Sequence, residues 1–131
     1  MGGEPPTAHA AKIACNMMIT MAIEAMAEAV VLTESHGLAR ERFFDLILNT
    51  LFGGRSYQVY SSNIIGDRYE PGFKAALGLK DLGLAQAAAE QLGRRLPMLN
   101  AVHHRMGEAV NAGGGDRDWS VMADFTIRSA G

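Results

Sequence analysis

Residues 7–36 read TAHAAKIACNMMITMAIEAMAEAVVLTESH, a run without proline or glycine. Across 13–32 only Asn16, Thr20, Glu24 and Glu28 interrupt apolar residues and alanine, each four positions from the next, and Lys12 begins the series. Side chains at that spacing stack on one face of a helix, so Lys12 and Asn16 project together. At 3.6 residues per turn the series drifts by about 40° per step, which carries Glu28 well round from Lys12. A helix over this stretch is roughly 45 Å long. It is longer than a small domain is wide, so it must cross the domain or reach a partner.

The totals bound the rest. A chain of 131 residues suits a single domain that buries a core without staples. With 12 basic and 14 acidic residues and a net charge of -2, neither nucleic acid nor an anionic membrane is expected as the main partner. The single cysteine, Cys15, excludes an internal disulfide and is read as a small buried hydrophobe. The apolar run is as long as a membrane span, but Glu24 and Glu28 in its second half are costly in lipid, so a core helix is expected. Residues 1–6, MGGEPP, have neither the basic start nor the apolar segment of a signal peptide, and a reducing, cytoplasmic setting is expected.

Outward from the long stretch, Thr7 after Pro6 is the expected N-cap and Gly37 the expected left-handed C-cap. Phe43, Phe44, Leu46, Ile47 and Leu51 recur at helical spacing over 39–50, a second helix that stops before Gly53-Gly54. Residues 56–65 suit a short third helix, and 66–72, GDRYEPG, a loop. A fourth helix is expected from about Lys74 to Leu92, ended by Gly93, and a fifth has Pro97 in its first turn. GGGDRD, 113–118, reads as a linker. The last helix, about Trp119 to Arg128, has Asp116 or Asp118 as its cap and packs Trp119, Val121, Met122, Phe125 and Ile127. No alternating strand and no internal repeat is legible. The fold class is all-α, a bundle of five or six helices around one long central helix, forming one domain over 1–131.

Three places offer chemistry. Lys12, between Ala11 and Ile13, is a candidate proton donor or acceptor, and Asn16 one turn on supplies a donor and an acceptor for a substrate oxygen. The plain alternatives are an ordinary lysine in the first turns of a helix and a packing asparagine. Lys80-Asp81 stands out as a charged pair in GFKAALGLKDLGLAQAAA, although a solvated stripe shared with Lys74 is the plainer account from the residues alone. His103 and His104 point about 100° apart on a helix, poor geometry for sharing a metal, so no metal site is expected. His9, three residues before Lys12, is a weaker candidate for the same pocket.

AHAAKIACNMM at 8–18 resembles the start of the C-terminal helical domain of the β-hydroxyacid dehydrogenase family, in which a hinge is followed by Lys, three residues and Asn. EAMAEAVVLTESHGL resembles the family's helix continuation and turn. GFKAALGLKDLGLAQAAAEQLGRRLPM resembles its second signature, a Phe, then Lys-Asp, then a small-residue helix and a proline. The resemblance spans essentially the whole chain, with both signatures in order. It implies a fold like the C-terminal domain of 6-phosphogluconate dehydrogenase, with dimerisation through this domain.

By the same resemblance, Lys12 is the general acid and base at the substrate oxygen, and Asn16 contacts the substrate. Phe73 helps close the pocket, Lys80 reaches the nicotinamide cofactor, NAD or NADP, and Asp81 positions its neighbour. The implied substrate is a small hydroxyacid or aldehyde. Pro6 and Ala8 stand where the family's hinge commonly has glycines. No strand followed by G-x-G-x-x-G is present in the chain, so the dinucleotide-binding half is expected to be absent and the domain alone to be inactive. A stand-alone helical module for dimerisation or interaction is the alternative.

Overall fold

The computed structural model describes residues 6–130. It comprises α1 (Pro6–Ser35), α2 (Arg40–Leu48), α3 (Arg55–Gly66), α4 (Ala75–Gln91), α5 (Pro97–Ala109) continued by a π-helical turn (Val110–Gly114), and α6 (Val121–Ser129). Among the described residues there is no strand, only an isolated bridge between Lys74 and Asp118. The expected all-α class and the order of helices hold.

α1 is the centre, touching each of the other five α-helices. All its buried residues, Thr20, Ile23, Glu24, Met26, Ala27 and Val30, fall in its second part. They recur three and four apart, which is one stripe of a helix turned into the bundle. Around that stripe close Phe44, Ile64, Leu82, Leu99, Met106 and Met122. The first part of α1 has no buried residue; Lys12 and Cys15 are exposed, and Met18 is 66% exposed. Cys15 is therefore not the buried hydrophobe expected. By length and composition α1 could cross a membrane, but its inner stripe forms the core of this bundle.

The helix ends follow from backbone chemistry. After α1, Leu38 N–H donates to Thr33 O and Gly37 N–H to Glu34 O, with Gly37 at φ 85°. This paired arrangement closes the orphan carbonyls and needs a left-handed residue, which glycine adopts without strain. Gly93 repeats it after α4, with φ 65° and the pair Arg94 to Ala89 and Gly93 to Glu90. Arg40 then grips Glu34 through two hydrogen bonds of 2.6 and 2.9 Å, pinning α2 to the end of α1.

Two further expectations need correction, and the core contribution of α2 is narrower than its run of apolar residues. Thr7 lies inside α1, which begins at Pro6, so the cap position falls outside the described residues. Leu46 and Leu51 are 58% and 84% exposed, and the α2 contribution to the core is chiefly Phe44 with Phe43 and Ile47. The segment 113–118 is no mere linker. Gly114 is buried where a Cβ would lie 2.9 Å from Ala109 O and 3.0 Å from Val121 Cγ1, so the turn from α5 to α6 closes only around a glycine.

Candidate active site

The two sequence signatures meet where α1 packs on α4. Asn16 Nδ2 donates to Asp81 Oδ2 at 3.2 Å, across 65 residues of chain, and both residues are half-buried. Lys12 lies one helical turn before Asn16, and Lys80 immediately precedes Asp81; both lysines are exposed. The contact is thus an amide–carboxylate joint flanked along each helix by a cation. The solvated-stripe account of Lys80-Asp81 fits Lys80 but not Asp81. Lys74 is apart from both, 3.6 Å from the exposed Asp116.

Phe73 stands just before α4, about two helical turns ahead of Asp81. Its N–H and that of Gly72 donate to Asp118 Oδ1 at 3.1 and 3.0 Å, and its carbonyl accepts from Trp119 N–H at 2.7 Å. Its ring lies 4.6 Å from that of Trp119, whose indole N–H donates to Tyr60 Oη at 2.8 Å. The other Asp118 oxygen accepts from the Ser120 N–H at 2.9 Å and from its hydroxyl. Asp118 is only 3% exposed. A buried carboxylate needs several donors, and here they come from both of the segments, 72–73 and 120, that Asp118 ties together. Sequence reading proposed Asp118 only as a cap. Its hold on the Phe73 backbone, 45 residues away, has no periodic signal that could reveal it.

Deeper along α1, Glu24 is 7% exposed, with Arg105 Nε 3.7 Å from Oε2. Burial pushes its carboxyl up from 4.5 to about 7, against the lowering by the Thr126 hydrogen bond and the Arg105 charge. Glu24 and Arg105 line a cleft of about 360 Å³ between α1 and α5, with Met21 and Met98 on its rim. Of the histidines, His9 is exposed, His103 is half-buried, and His104 faces Glu108 at 3.8 Å. Among the described residues no three His, Cys, Asp or Glu side chains come together as metal ligands.

A helical bundle of this form, built on one long helix, is shared with solved oxidoreductases. The 3-hydroxyisobutyrate dehydrogenase of Salmonella typhimurium superposes with a TM-score of 0.81 at 24% identity, over 88% of this chain and 40% of that one. That of Mycobacterium tuberculosis, solved with L-serine, gives 0.78 at 28% identity, over 88% and 42%. Residues 7–126 match the family model described as NAD-binding of NADP-dependent 3-hydroxyisobutyrate dehydrogenase, and the chain belongs to that family. An uncharacterised oxidoreductase of Bacillus subtilis is 37% identical over 123 residues, 93% of this chain and 43% of the relative. The 2-hydroxy-3-oxopropionate reductase of Escherichia coli K12 is 28% identical over 111 residues, 85% and 38% respectively. The chain spans about two fifths of the length of the curated relatives it matches.

Proposed function

We propose that this chain is the helical, substrate-facing domain of an NAD(P)-dependent oxidoreductase that interconverts a small β-hydroxyacid and its semialdehyde or keto form. The observation that carries the reading is the Asn16–Asp81 hydrogen bond, which joins the two signatures of the family in one place. Lys12 would exchange the proton at the substrate oxygen, as acid in reduction and as base in oxidation. Asn16 and Phe73 would hold the substrate, and Lys80 would meet the cofactor. The residues present fit one wall of a cofactor cleft: Lys80 offers an exposed ammonium group beside the half-buried joint, suited to an anionic dinucleotide. The nicotinamide, when bound, supplies or takes up the hydride. The dinucleotide is held mainly by a separate Rossmann domain, and the setting is cytoplasmic.

The test is catalysis by this domain joined to a dinucleotide-binding half. NAD(P)-dependent oxidation of short β-hydroxyacids by the joined polypeptide, and none by the chain alone, is expected. Failure of every hydroxyacid and semialdehyde with both cofactors contradicts the reading.

A second reading has its own observation. Ala10, Ile13, Ala14 and Met17 of α1 face Ala85 and Ala88 of α4 across an open, almost wholly apolar groove. Apolar surface of that kind suits burial against another protein, so a stand-alone, non-catalytic module for dimerisation or interaction is the alternative role. Light scattering of the chain tests the dimer contact itself: a strict monomer at high concentration counts against it.

A further inference from the structure

Asn16 is a symmetric shape with unsymmetric chemistry. Rotating its amide by half a turn exchanges a donor for an acceptor at almost no steric cost, so a substrate-contacting asparagine needs something to fix which end it offers. Asp81 has that capacity. An ionised carboxylate only accepts hydrogen bonds, so at 3.2 Å it admits the nitrogen of the Asn16 amide and not its oxygen. We infer that Asp81 is a positioning residue that sets the polarity of Asn16, turning the amide nitrogen towards α4 and leaving Oδ1 as the end presented to the reaction.

This rests on the proposed role of Asn16 as a substrate contact and deepens it. Among the described residues no side chain donates to Asn16 Oδ1, while Nδ2 is engaged. The free end is therefore an acceptor, matched to a hydrogen-bond donor. The interconversion offers two of these, the hydroxyl of the hydroxyacid and the protonated amine of Lys12, which stands on the same helical face. Asp81 itself need touch neither. Lys80, one residue earlier and about 100° round the helix, is free to serve the cofactor while Asp81 serves Asn16.

Two measurements test the inference. In the joined polypeptide, Asp81→Ala and Asn16→Ala are each expected to lower kcat/KM about tenfold or more, the loss of a hydrogen bond to a charged group. The double variant should then be no worse than Asn16→Ala alone within about threefold, because Asp81 has nothing left to orient. Losses that multiply would show Asp81 acting directly and overturn the inference while the role of Asn16 stands. An Asn16→Ala variant with unchanged kcat/KM would instead overturn the substrate role of Asn16, and the inference with it.

The chain itself supplies the second readout. Its Asn16 side-chain NH2 resonance in a 15N-labelled sample should shift in Asp81→Ala while backbone resonances distant from the joint stay in place. An unmoved side-chain resonance contradicts the inference. So does an Asp81→Ala protein that melts lower yet keeps full kcat/KM well below its melting temperature, since that is the behaviour of a stitch between helices and no more.

Discussion

Thr126 Oγ1 stands 2.8 Å from each carboxylate oxygen of Glu24, joining α6 to the middle of the central helix across 102 residues of chain. The single hydroxyl hydrogen is shared between the two oxygens, and Arg105 is the nearest cation. Glu28 and Glu108 add negative charge to the same neighbourhood. Desolvation prevails, and the carboxyl titrates near 7 in the folded chain against 4.5 as the ordinary value.

The sign of the pH dependence follows. The folded state holds this proton more tightly than the unfolded state, so Glu24 contributes its full stability below about pH 4.5 and loses it as pH rises through about 7. Thermal unfolding of the chain between those limits should show a loss on the order of 2 kcal/mol from this group. Glu24→Gln, which still accepts from Thr126, should flatten that slope and melt higher than the parent at pH 8. An unchanged slope would contradict the assignment.

Asp118 should be the costliest polar residue to truncate. Asp118→Ala strands the N–H groups of Gly72, Phe73 and Ser120 in or beside the core. Each buried donor left without a partner costs about 1–3 kcal/mol, so a loss of roughly 3 kcal/mol or more is expected in denaturant unfolding. Phe73 should be released at the same time, seen as a rise in hydrogen exchange at 72–74. A variant within about 0.5 kcal/mol of the parent would show that the Phe73 strap is held by other means.

Two glycines of α4 should respond oppositely to alanine. At Gly83 a new Cβ would find only His103 Nε2, at 3.8 Å, an ordinary contact, so Gly83→Ala should stabilise by about 0.5–1 kcal/mol through helix propensity. At Gly78 a Cβ would meet Trp119 Cε3 at 3.2 Å and Cβ at 3.4 Å. Trp119 is buried and its indole N–H is tied to Tyr60, so it has little freedom to yield. Gly78→Ala should forfeit the propensity gain and destabilise by about 1 kcal/mol. Equal shifts in melting temperature for the pair would show that the Trp119 packing is looser than it looks.

Features carried by local chemistry were legible before the fold was known. The unbroken 7–36 run announces α1, and Gly37 and Gly93 mark ends that require positive φ. The lysine–asparagine spacing on α1 and the Lys80-Asp81 pair are visible in the sequence, but only the family resemblance makes them the two halves of the proposed site. Their junction does not appear in either half, because a hydrogen bond across 65 residues depends on how α1 crosses α4. Asp118 and Thr126 were opaque for the same reason: each holds a partner remote in sequence, and neither disturbs a period. The exposure of Leu46 and Leu51 was not legible, because helical spacing records a possible face, not whether the bundle has an element to cover it.

The central claim is that Lys12 moves the proton. The most direct measurement is single-turnover hydride transfer by the joined polypeptide with Lys12→Ala, at saturating substrate and cofactor, alongside its melting curve. Loss of the general acid and base should slow the step by about 10²–10⁴-fold, and because Lys12 is exposed and outside the core the melting temperature should barely change. A Lys12→Ala protein that is folded and transfers hydride at nearly the parental rate would contradict the account.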